Sequence, residues 1–149
     1  MLPFFDYDIE DLPNIVLELM SIQKEFNLSN IYLLKSSNGY NAFSLDKLFF
    51  NVINDIFEST EFVDNDFIKW GLNRGFLTLR MGEDKKIISV LVSKSKNINY
   101  KKSLPHKKFF NEIMEFDIKD DINFDNESKI IITMFPSNKH GVKKGVYNW

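Results

Sequence analysis

The sequence predicts an α+β domain in which helices pack on one face of a mostly antiparallel sheet. Three observations lead there. Some segments repeat apolar residues at helical spacing and others alternate with period two; the two kinds interleave along the chain; and short Asn/Gly/Ser stretches punctuate them. With 149 residues, 44% hydrophobic and 27% charged, the chain has the material of one hydrophobic core.

Phe4-Phe5-Asp6-Tyr7-Asp8-Ile9 alternates apolar and acidic residues, so a first strand should project Asp6 and Asp8 from one face. Asp11-Leu12-Pro13 starts a helix, with Asp11 as cap and Pro13 tolerated in the first turn. Ile15, Leu19, Ile22 and Phe26 give that helix its core face through Asn27. Ile31–Lys35 reads as a strand and Tyr40–Phe43 as its antiparallel return. Between them, Asn38-Gly39 is expected to supply the positive φ of a tight hairpin. Ser44 offers a cap for a helix running through Leu48, Phe49, Val52, Ile53 and Phe57.

Residues 61–66 form an acidic loop, followed by a short helix over Phe67–Leu72 that ends near Gly71 or Gly75. Phe76–Met81 and Ile87–Val92 flank Gly82-Glu83-Asp84 and read as a second hairpin. Phe109, Phe110, Ile113 and Met114 suggest a helix after Pro105, and Lys129–Phe135 a β-branched strand. Residues 1–138 are expected to form one domain and residues 139–149 a basic tail. An RRM-like or ferredoxin-like sandwich is the simplest arrangement that buries one face of each helix in this order.

Composition excludes several function classes. The chain has no Cys, so disulfides and thiolate metal sites are impossible, which suits a cytoplasmic location. No stretch reaches the roughly 18 to 20 apolar residues of a membrane span, so no membrane partner is expected. The 15 Phe, with abundant Ile, Asn, Lys and Asp, read as the residue choice of an AT-rich genome. Charge is uneven: residues 1–91 carry 14 acidic and 8 basic side chains, residues 92–149 carry 7 and 11. Such asymmetry fits an acidic, metal-holding half beside a phosphate-facing one, and equally an ordinary solvated surface.

Asp6 and Asp8, two apart on a strand, bring two carboxylates to within about 7 Å on one face. A hard divalent ion shared with triphosphate oxygens would relieve their repulsion; a plain polar edge would need no ion. Ser36-Ser37-Asn38-Gly39-Tyr40-Asn41 is either a phosphate nest or an ordinary turn. Arg80, on an otherwise apolar strand, calls for an acid partner or a ligand phosphate. Lys94, Lys96, Lys101, Lys102, Lys107 and Lys108 surround Tyr100 with no intervening acid, a pattern suited to phosphate attraction and base stacking, or to a solvated loop. His106 and His140 are too far apart to form a metal site by spacing.

Taken in order, Asp-x-Asp on a first strand, a helix, a Ser-x-Gly-aromatic hairpin, an acid and then a strand ending Leu-Arg, these pieces resemble the archaeo-eukaryotic primase and primase-polymerase superfamily over roughly residues 4–92. The resemblance implies an RRM-like catalytic core and metal-dependent nucleotide addition in the DNA replication of a mobile element. Asp6, Asp8 and one of Asp64 or Asp66 would be catalytic and hold Mg²⁺ or Mn²⁺, with Asp66 preferred as the third catalytic acid. Ser37, Gly39, Asn41 and Arg80 would hold the nucleoside triphosphate, Asn41 standing where the family has a histidine. The lysines would track a single-stranded or primed nucleic acid, and replication proteins would be partners. Two other classes compete: a non-catalytic RRM-like module that grips single strands, and a small structural or interaction protein of a mobile element.

Overall fold

The computed structural model describes residues 1–78, 86–91, 101–112, 130–134 and 143–147. Their order is β1 (Phe4–Tyr7), α1 (Leu12–Glu25), β2 (Ile31–Lys35), β3 (Tyr40–Ser44), α2 (Phe50–Glu58), α3 (Asn65–Arg74), β4 (Lys86–Leu91), α4 (Leu104–Glu112), β5 (Ile130–Met134) and β6 (Lys143–Tyr147). The strands form one sheet in the order β1-β3-β2-β4-β5-β6, and every described pairing is antiparallel.

The α+β class is as expected. The β1-α1-β2-β3 portion has the order 1-3-2, with a helix linking two strands that are separated in the sheet by a third. Beyond it, β4 joins the free edge of β2, whereas a ferredoxin-like order would return that strand to β1. The expected second hairpin also differs in its first part. Phe76, Leu77 and Thr78 are not strand: Leu77 is buried, and a Cβ added at Gly71 would lie 2.4 Å from its Cδ2. The segment therefore packs beneath α3 instead of lengthening the sheet, while residues 79–85 lie outside the described ones. Residues 143–147, expected in a tail, pair with β5.

Helix α1 starts where Asp11 accepts a hydrogen bond from the Asn14 N–H, with Pro13 in its first turn. Its face of Ile15, Leu19 and Ile22 is buried, as is the α2 face of Ile53, Ile56 and Phe57. Both helices join one core with Phe5 and Tyr7 of β1, Leu33 of β2 and Ala42 of β3. Alternation along the strands turns Asp6, Leu34, Asn41 and Phe43 to the opposite side. That side is covered as well: Phe110 of α4 stacks on Phe43 with ring centres 4.1 Å apart, and Tyr32 stacks on Phe43 at 5.2 Å. Helices thus pack on both faces, not on one.

Candidate functional site

The register of β1 against β3 sets Asp6 opposite Asn41. Asn41 Nδ2 donates a hydrogen bond to Asp6 Oδ1, with Asn41 buried and Asp6 half-buried. The amide of Asn41, the residue expected to contact a nucleotide, thus orients the first acid of the Asp-x-Asp pair. Asp8 follows the end of β1 and is exposed.

The turn between β2 and β3 lies against this end of β1. Ser36 N–H donates to the Gly39 carbonyl at 3.0 Å, and Ser37 and Asn38 are exposed. Among the described residues, positive φ occurs at Asn27 and Gly75 and at neither Asn38 nor Gly39, so the expected left-handed hairpin turn is not formed. Glycine is required at position 39 for another reason. A Cβ there would lie 2.0 Å from the Tyr7 carbonyl oxygen and 3.3 Å from the Asp8 Cα. The turn backbone and the Tyr7-Asp8 backbone are in direct contact, which places Gly39 beside Asp8, with the Asp6–Asn41 pair immediately inward.

The start of α3 reaches the same region, because the Asp64 N–H donates to the Asp6 carbonyl at 2.8 Å. The Asp64 carboxylate has a local task. Its two oxygens accept from the Asp66 N–H at 3.3 Å and the Phe67 N–H at 2.9 Å, capping the helix. Asp66 is exposed in the first turn, where the helix dipole favours an acid whether or not a ligand is present. Among the described residues no group of three His, Asp or Glu is arranged to hold a metal ion.

Arg80, Lys94, Lys96 and Tyr100 lie outside the described residues. Lys101 and Lys102 belong to a short pairing with the β3–α2 connection: Lys47 N–H donates to the Lys101 carbonyl at 2.7 Å, and Asp46 bridges Lys102. Lys101 and Lys108 are exposed, Lys102 and Lys107 half-buried, and Lys108 Nζ is 4.0 Å from Glu112.

Two polar clusters escaped the sequence reading. Asp46 is fully buried and accepts from the Ser29 N–H (2.7 Å), the Ser29 hydroxyl (2.9 Å) and the Ser44 hydroxyl (2.8 Å). Ser44, expected to cap α2, instead engages this carboxylate; α2 begins after Phe49 with no side-chain cap. In the second cluster, Glu18 accepts from the Tyr7 hydroxyl (3.1 Å) and from the backbone N–H groups of Glu61 and Phe62, fastening the loop before α3 to α1. Burial, and then the adjacent Glu18 carboxylate, push the Tyr7 phenol well above its ordinary pKa. Ser44 lies two residues from Asp46, but Ser29, Glu18 and the Glu61-Phe62 backbone are brought to these clusters from distant parts of the chain.

Comparison with protein-family models, with curated proteins and with solved structures finds no significant match. Chemical capacity at the site accordingly rests on its own groups. One end of the sheet offers an oriented carboxylate, an exposed second carboxylate and a polar turn with exposed Ser37 and Asn38. Those groups suit a phosphate-bearing ligand that arrives with its own divalent cation, because Mg²⁺ is commonly held by one or two carboxylates plus substrate phosphates.

Proposed function

We propose that this chain is a primase-polymerase-like domain that binds a metal–nucleoside triphosphate complex where β1 meets the β2–β3 turn. The supporting observation is the Asp6–Asn41 cross-strand pair beside a turn packed directly on the Tyr7-Asp8 backbone. Two acids next to a triphosphate repel it unless a cation lies between them, so nucleotide affinity should depend on Mg²⁺ or Mn²⁺. Such an ion, once bound, would supply charge neutralisation at the phosphates. Asn41 holds Asp6 in place, and Ser37 with the turn backbone provides hydrogen-bond donors. An RRM-like identity for the β1-α1-β2-β3 portion belongs to this same reading.

A non-catalytic role is the second reading, favoured by the use of Asp64 as a helix cap. Titrating a fluorescent nucleoside triphosphate with and without Mn²⁺ tests the proposal. Binding that requires the ion and is lost in Asp6→Asn/Asp8→Asn supports it; ion-independent binding, or binding unchanged in that variant, refutes it. Nucleotide addition to a primed template separates the two readings, and extension that survives Asp6→Ala plus Asp8→Ala would exclude these acids from catalysis.

A further inference from the structure

The outer face of α3 carries a feature that the nucleotide site does not use. Trp70 is 54% exposed, an unusual placement for the largest side chain, and the Arg74 guanidinium lies over its ring at 5.6 Å. Lys69 and Asn73 are exposed beside them, and Phe76, just past the left-handed Gly75 cap, is 53% exposed. Among the described residues no carboxylate pairs with Lys69 or Arg74. Charge is graded along the helix. Asp64 and Asp66 sit at its start, Lys69 and Trp70 at its middle, and Arg74 in its last turn with Phe76 just beyond.

We infer that this face is a stacking site for unpaired bases of a single-stranded nucleic acid. Base–aromatic stacking gives a use to a large flat ring left in water, and Lys69 and Arg74, which no carboxylate among the described residues engages, suit the accompanying phosphates. The arrangement is sequence-tolerant, since every base offers a π face. Position adds to the case: Trp70 lies roughly 9 Å along the helix from Asp64, whose backbone is bonded to that of Asp6. A strand stacked on α3 would thus run toward the proposed nucleotide site, although its binding depends on α3 alone.

Anisotropy of a labelled 20-residue oligothymidine with the full chain tests the inference. Trp70→Ala should weaken binding about tenfold and Trp70→Phe should restore most of it. Arg74→Gln should lower the slope of log affinity against log salt by about 0.7 to 1. Because Trp70 is exposed, these variants should keep the wild-type melting temperature and the metal-dependent nucleotide affinity, so failure here is separable from failure of the nucleotide site. Absence of oligonucleotide binding by the wild type, or equal affinity for wild type and Trp70→Ala, would overturn the inference. Concentration-dependent dimerisation abolished by Trp70→Ala, without oligonucleotide binding, would assign the face to a second copy and overturn it as well.

Discussion

Replacing Asp46 with alanine should be among the most damaging single changes to this fold. The carboxylate is fully buried and accepts one fixed backbone N–H, from Ser29, and two hydroxyls, from Ser29 and Ser44. Removing it leaves the fixed donor unpaired at about 1–3 kcal/mol, while each hydroxyl, free to rotate, adds roughly 1 kcal/mol. The total is about 3–5 kcal/mol, and at about 2–4 °C per kcal/mol for a chain of this size the melting temperature should fall by about 10 °C. Asp46→Asn keeps one acceptor oxygen but turns an NH₂ toward donors, so it should recover only part of the loss. Thermal melts and urea titrations of both variants at one pH provide the assay, with an unchanged urea slope confirming that the native state alone is affected. An Asp46→Ala protein melting within about 2 °C of wild type would refute the reasoning.

Gly39→Ala should force the turn away from the Tyr7 carbonyl, since the added carbon would sit 2.0 Å from it. A loss of about 1–3 kcal/mol and faster amide hydrogen exchange at Tyr7 and Tyr40 should follow; wild-type exchange would contradict the contact. Tyr7 makes stability pH-dependent at the alkaline end. Its phenol holds its proton more tightly folded than unfolded, so that stabilisation is complete below the ordinary value of 10.0 and is lost as pH rises above it. Tyr7→Phe should therefore be less stable by about 0.5–1.5 kcal/mol near pH 7. The gap should narrow in urea titrations above pH 10, and a widening gap would show the sign to be wrong.

Local signals were legible where local chemistry decides the structure. Asp11 with Pro13 marked the start of α1, and the recurrence of Ile15, Leu19 and Ile22 marked its buried face. Alternation in Phe4–Asp8 placed Asp6 and Phe5 on opposite faces, which made the first half of the site readable. Misreadings arose where a residue type serves two purposes. Of the two glycines expected near the end of α3, Gly75 is the left-handed cap, whereas α3 runs through Gly71 to Arg74, and a Cβ at Gly71 would press on the Leu77 side chain. Gly39 looked like a source of positive φ and is instead a point of close strand approach. Asp46 could not be found from the chain, because the main donor that defines it lies 17 residues earlier. The pairing of β4 with β2 is likewise a long-range choice that periodicity does not encode.

Paramagnetic broadening gives the most direct test of the nucleotide site. Amide resonances of the full chain would be followed as Mn²⁺ is added with and without a nucleoside triphosphate. With both present, the signals of Asp6, Asp8, Ser37, Gly39 and Asn41 should broaden first and selectively, and Asp6→Asn/Asp8→Asn should abolish the effect. Broadening centred elsewhere on the molecule, or identical with and without the nucleotide, would contradict the assignment of this end of the sheet to a metal–triphosphate ligand.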